Sequence, residues 1–181
     1  MHASVCDQLH DLVQNAIEAG ASRINVHWVE SGGWQEITIT DDGCGMDRAT
    51  IDRALDPFYT DGIKHRHRRV GLGLAFLKQM VEETGGELTL TSEVGVGTKI
   101  CFRLDQAHVD VPPMGDVIRS LVGLMAFDGN YDLEVFREVG KNHYKISRLA
   151  LLEALGELES AASLLLMRDY IASQEEALQK G

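Results

Sequence analysis

Four short segments carry side chains able to do chemistry, and they succeed one another along the first part of the chain. In Asp11-Leu12-Val13-Gln14-Asn15-Ala16, Asp11 and Asn15 stand four residues apart and so share one face of a helix. An amide oxygen there is a hard donor suited to Mg²⁺, which takes oxygen ligands and keeps several waters. A carboxylate beside it can orient or deprotonate a water. The same pair would also suit a solvated helix face. In Asp41-Asp42-Gly43-Cys44-Gly45-Met46, Gly43 and Gly45 permit positive φ and close backbone approach. Asp41 can there accept a hydrogen bond from a purine amino group; an ordinary strand-ending Asp-Gly turn would read the same. Cys44, with no His beside it in sequence, reads as a small buried thiol. In Val70-Gly71-Leu72-Gly73-Leu74, Gly71 and Gly73 open a helix whose free amides and dipole favour an anion such as phosphate. No Gly-Lys-Ser/Thr follows, so this is not a Walker A loop. In Gly95-Val96-Gly97-Thr98, Thr98 either pairs with Asp41 around a base, directly or through water, or is a β-branched strand residue.

Taken together, the segments supply a metal-facing amide, an acid for a base edge and a glycine-opened helix for phosphate. ATP with Mg²⁺ is the ligand they jointly fit. Directly before the glycine helix lie Lys64, Arg66, Arg68 and Arg69, with His65 and His67 between them. This is either a solvated basic loop or a set of phosphate contacts.

These residues must be positioned by elements that the hydrophobic spacing outlines. Val5, Leu9, Leu12, Val13, Ala16 and Ile17 predict a helix over 4–19 that stops at Gly20. Ile24, Val26 and Trp28 alternate with polar residues, as do Ile37 and Ile39 after Ser31-Gly32-Gly33, which predicts a hairpin. Asp47 caps a short helix ending near Leu55 and Pro57. Residues 59–69 read as a loop, 71–84 as a helix, and 87–92 and 98–104 as strands. The expectation is an α/β (α+β) sandwich with a mixed sheet and helices on one face, not a regular βαβ alternation. After Val111-Pro112-Pro113 the texture changes. Helices are expected near 115–126, 148–158 and 160–179, with short strands near 132–138 and 143–147. The division expected is a nucleotide-binding domain over 1–106 and a mostly helical extension over 107–181. In the last helix, Leu164, Leu165, Met167 and Ile171 read as packing on the first domain or as a homodimer face.

Composition narrows the function classes. At 181 residues the chain can bury one substantial core. A net charge of −11 works against non-specific binding to nucleic acid or acidic lipid. No apolar run reaches membrane-spanning length, and Met1-His2-Ala3-Ser4 lacks signal-peptide character. Three widely spaced cysteines suggest neither a disulfide framework nor a zinc site, so a cytoplasmic setting is expected.

The four segments resemble, in order and spacing, the N, G1, G2 and G3 boxes of the GHKL ATPase superfamily: gyrase B, Hsp90, sensor histidine kinases and MutL. Asp11 to Arg23 resembles mismatch-repair ATPases. Asp56-Pro57-Phe58-Tyr59-Thr60 through Leu104 is similar to histidine kinases. The resemblance implies the Bergerat fold, Mg²⁺ coordination by Asn15, adenine recognition by Asp41 supported by Thr98, and a base pocket shaped by Gly43 and Gly45. It further implies a phosphate end at Gly71 and Gly73, a lid over 59–70 bearing Lys64, Arg66, Arg68 and Arg69, and Asp11 as catalytic base. Asp11 stands where the ATPases place Glu, and Arg69 where kinases usually place Gly. With so short a stretch before the first helix, no phosphoacceptor hairpin is expected, and a protein partner or acceptor in trans is. His108-Val109-Asp110 and Pro113-Met114-Gly115-Asp116 are similar to stand-alone kinase-like ATP-binding proteins of redox and hydrogenase gene neighbourhoods. The activity implied is ATP hydrolysis or phosphotransfer; the alternative is a non-catalytic, ATP-responsive regulator of the anti-sigma or redox-operon kind.

Overall fold

The computed structural model describes residues 4–58 and 72–180. Their elements run α1 (Val5–Glu18), β1 (Arg23–Ser31), β2 (Trp34–Asp41), α2 (Arg48–Ala54), α3 (Gly73–Glu83), β3 (Glu87–Glu93) and β4 (Gly97–Asp105). Next come α4 (Val117–Ala126), β5 (Asp132–Val139), β6 (Asn142–Ser147), α5 (Arg148–Leu155) and α6 (Ala161–Gln179). The strands form one mixed sheet in the order β3-β4-β2-β1-β5-β6, antiparallel throughout except for the parallel pair β1–β5.

Period-two alternation gives this sheet one apolar face. Leu90, Ile100, Ile39, Val26, Val135 and Ile146 make a row across all six strands. A second row holds Leu88, Phe102, Ile37, Trp28, Arg137 and Tyr144. Helices α1, α3 and α6 pack against the sheet, and α4 bridges α1 and α6. The opposite face carries Asn25, His27, Thr38, Thr40 and Lys99 and bears no comparable apolar row among the described residues. Helix starts follow the expected chemistry: Ser4, Asp47, Asp116, Ser147 and Ser160 each accept a backbone amide from the first turn they cap.

The expected boundary at 106/107 falls between β4 and α4, and the segment beyond it builds onto the same sheet. β5 pairs with β1 from Arg23↔Asp132 to Glu30↔Val139. Pro113 and Met114 carbonyls accept the Val5 and Cys6 amides, each at 2.9 Å, closing the first turn of α1. Arg137 is 1% exposed within its apolar row. It meets Glu30 Oε1 at 2.7 Å and Glu175 Oε1 at 3.1 Å, lies over the Trp28 ring, and shares Glu175 with the Tyr144 hydroxyl at 2.6 Å. That network fastens α6 to the sheet. In α6, Met167 and Ile171 are enclosed in this chain's own core, as the packing reading has it, whereas Leu165, with Leu166 and Tyr170, faces out. No described helix is long and apolar enough to cross a membrane.

Candidate functional site

At one end of the sheet the inward rows turn polar. Ser92, Thr98 and Asp41 are register partners on β3, β4 and β2, and Asp41 pairs in turn with Ile24 of β1. These three polar side chains form a floor where the next row in is apolar. The Ser92 and Thr98 hydroxyls are 2.7 Å apart, and Ser92 Oγ also donates to Gly97 O and accepts the Met46 amide at 2.8 Å. Thr98 therefore donates its hydroxyl proton to Ser92, while its backbone N–H supports the Asp41 carboxylate.

The two adjacent aspartates have separate tasks. Asp42 Oδ1 accepts the Ser22 and Arg23 amides, each at 2.8 Å, and stitches the start of β1 to the end of β2. Those bonds, led by the one from Arg23, hold its carboxyl below the usual range. Asp41 Oδ1 accepts the Gly43 amide at 2.8 Å, and the Thr98 amide adds a second backbone donor to the same carboxylate. Burial pushes its carboxyl up, against the lowering effect of the Gly43 and Thr98 amides. A half-buried acid with spare acceptor capacity fits a ligand donor.

The glycines sort by what a methyl group would meet. At Gly45 (φ +67°) a Cβ would lie 1.9 Å from Glu93 O, and at Gly97 (φ +142°) 2.0 Å from Asp41 O. Both are required by backbone crossing. At Gly43 it would lie 2.9 Å from Asp41 Oδ1 and 3.1 Å from Ala19 Cβ, so glycine leaves that carboxylate room. Gly73 differs. Its Cβ would stand 3.5 Å from Asn15 Nδ2 and 3.7 Å from Asp11 Cβ, ordinary contacts at an unstrained φ. Nothing among the described residues demands glycine there.

The same distances bring the first and third segments together: the start of α3 faces the Asp11–Asn15 side of α1. Both side chains are half-buried, not a wet surface stripe. The N-cap of α3 is Leu72, which supplies no side-chain acceptor, so among the described residues no N-cap side chain holds the first amides of this helix. Lys64, Arg66, Arg68, Arg69 and Gly71 lie outside the described residues. Cys44 is half-exposed in the turn, less enclosed than expected. Two residues that the motifs do not single out adjoin these groups: Ser92, which bonds Thr98, Gly97 and Met46, and Gln8, which donates to Gly73 O. Gln8 falls three residues after Val5 and four before Leu12, so its inward position is legible in the helical stripe. No group of three or more metal-ligating His, Cys, Asp or Glu occurs among the described residues. A hard cation here would rely on the Asn15 amide together with ligand and water oxygens, and that donor set suits Mg²⁺.

Comparison with known proteins bears on the fold and the family. Among curated relatives, the sensor histidine kinase DcuS of Escherichia coli is 32% identical over 108 residues, 56% of this chain and 19% of that protein. The sensor histidine kinase AruS of Pseudomonas aeruginosa is 32% identical over 121 residues, 60% of this chain and 12% of that protein. The chain thus spans a fifth or less of the length of these relatives. A solved structure titled as the N-terminal domain of a DNA repair protein shares the fold at TM-score 0.53 and 16% identity, covering 81% of this chain and 52% of that one. Residues 6–108, which include the polar floor, α1 and the start of α3, match the family described as histidine kinase-, DNA gyrase B- and HSP90-like ATPases, and the chain belongs to that family.

Proposed function

We propose that this protein binds Mg²⁺-ATP between α1, the start of α3 and the Asp41 turn, and directs its γ-phosphate to water or to an acceptor on a protein partner. One observation carries the reading: a half-buried carboxylate with acceptor capacity to spare, and a glycine-opened helix whose N-cap Leu72 offers no side-chain acceptor, flank the same α1. Asp41 accepts the adenine amino group, and its ionised form is the better acceptor. Gly43 leaves space for the ring beside that carboxylate. The α3 amides and helix dipole favour the phosphate chain, and Gly73 keeps a methyl out of its path. Asn15 offers its oxygen to Mg²⁺, which when bound neutralises phosphate charge. Asp11, one helical turn before Asn15, takes the proton from the attacking hydroxyl or water. Lys64, Arg66, Arg68, Arg69 and Gly71 join the phosphate end in this reading. In a chain of net charge −11, such local cations are what permit a polyanion to bind.

The experiment is phosphate release and transfer from labelled ATP by purified protein, with and without Mg²⁺. Turnover that vanishes in Asp11→Ala while ATP binding persists supports the catalytic assignment. Turnover unchanged in that variant removes Asp11 from the chemistry. A second reading, an ATP-responsive regulator without turnover, is favoured by Asp at position 11. It is one methylene shorter than Glu, pulling the carboxylate back by about 1.5 Å. Saturable binding and raised thermal stability with ATP, but no phosphate release with or without partner, would select it. Cytoplasmic placement and a homodimer through the outward face of α6 belong to the same proposal, and light scattering of the purified protein tests the stoichiometry.

A further inference from the structure

Gln8 lies on α1 at positions i, i+3 and i+7 with Asp11 and Asn15, so the three make one stripe facing the start of α3. It is 0% exposed, surrounded along the helix by the core residues Val5, Leu9 and Leu12. Its Nε2 donates to Gly73 O at 2.9 Å, across 65 residues of sequence. Its Oε1 is buried with no hydrogen-bond partner among the described residues. On stability grounds this is a poor place for a glutamine. An unpaired buried acceptor is destabilising, and an apolar side chain of similar volume would avoid it. Nor does Gly73 O depend on Gln8, because helix geometry already offers that carbonyl the amide four residues on. The glutamine bond is a second one, joining two helices at the point where the start of α3 meets Asp11 and Asn15.

We propose that Gln8 is a positioning residue of the nucleotide site: its amide tethers the first carbonyl of α3 to α1. The tether sets the separation between the first-turn α3 amides and the Asp11–Asn15 pair. The inference rests on the ATP reading and adds a residue that neither the motifs nor the family match assigns. Gln8 itself touches no ligand. Its effect passes through the placement of α3, and it acts on phosphate-bearing ligands more than on the nucleoside.

The test is Gln8→Met, which keeps volume and flexibility while removing both the donor and the orphaned acceptor. Three readouts are compared with wild type: thermal midpoint, calorimetric affinity for adenosine, ADP and Mg²⁺-ATP, and hydrogen exchange of the first-turn amides of α3. The expected result is a midpoint equal to or above wild type, with faster exchange at the start of α3. Affinity for ADP and ATP should weaken about fivefold, the size of one lost hydrogen bond, with adenosine unaffected. A lowered midpoint with equal losses for adenosine and ATP would mark Gln8 as an ordinary packing residue and overturn the proposal. So would unchanged exchange and affinity. Wild-type protein that binds no adenine nucleotide would sink the ATP reading itself, and the positioning role with it. Exchange at α3 would then separate a bare structural tether from no tether at all.

Discussion

Gly73→Ala separates a glycine kept for the fold from one kept for a ligand. In the folded protein the added methyl meets Asn15 Nδ2 at 3.5 Å and Asp11 Cβ at 3.7 Å, both ordinary van der Waals distances. The residue is the first of α3 and has no positive φ. Alanine in a helix is favoured over glycine by up to about 1 kcal/mol, less at a first position, and it also narrows the unfolded ensemble. Together these give an expected gain of about 0.5 kcal/mol. For a chain of this length that corresponds to a rise of roughly 1–2 °C in Tm. The methyl stands where the proposed phosphate chain approaches the α3 amides. Affinity for Mg²⁺-ATP should then fall at least about tenfold, the loss of one charge-assisted hydrogen bond. Differential scanning calorimetry and ATP titration on one preparation give both quantities. Gly45→Ala and Gly97→Ala are the controls, since their methyls would lie 1.9 Å and 2.0 Å from backbone oxygens and must destabilise. Undiminished ATP affinity in a stable Gly73→Ala protein would refute the placement of phosphate between α1 and α3. A large drop in Tm would refute the claim that the cleft tolerates a side chain.

The charged groups give further expectations. Asp41 has a folded pKa raised by burial, so its contribution to stability is fully present below the unfolded value and is lost as pH rises through the folded one. Asp41→Asn should therefore be at least as stable as wild type at neutral pH by urea titration, while binding adenosine more weakly. Wild-type affinity should decline as pH falls through that raised pKa; a flat profile in wild type would contradict the role given to the ionised acid. Arg137→Met strands Glu30 and Glu175 in the interior and should cost about 3–5 kcal/mol in chemical denaturation; a cost below about 1 kcal/mol would mean the carboxylates find water. Glu157 braces the turn before α6 through the Ser160 and Ser163 hydroxyls and the Ser160 and Glu159 amides, which lower its pKa to about 2. Its stabilisation is present above 4.5 and lost as pH falls from there towards 2, so Glu157→Gln should flatten that part of the Tm profile.

Local pattern makes much of this molecule legible. Alternation at Ile24, Val26 and Trp28, the Gly32-Gly33 turn and the cap at Asp47 each specify their element through short-range physics. Asp41 is recognisable because a strand ends there in glycines. The parallel pairing of β5 with β1 is not, because it joins segments roughly a hundred residues apart and leaves no local periodicity. Arg137 even disguises it: a charge at an inward position interrupts the apolar alternation, and the Glu175 that neutralises it lies 38 residues further on. The glycines of the site look alike in sequence, yet Gly45 and Gly97 answer to nearby backbone and Gly73 does not. Only spatial neighbours make that distinction. Thr98 shows the converse, since its place beside Asp41 follows from register while its hydroxyl is claimed by Ser92 on the adjoining strand.

The most direct measurement of the central claim is a calorimetric titration of adenosine, metal-free ATP and Mg²⁺-ATP into wild type, Asn15→Ala and Asp41→Asn. If one nucleotide spans the cleft, Asp41→Asn weakens all three ligands, whereas Asn15→Ala weakens Mg²⁺-ATP far more than the other two. Equal losses for every ligand in Asn15→Ala, or no saturation of wild type by any adenine nucleotide at millimolar concentration, would contradict it.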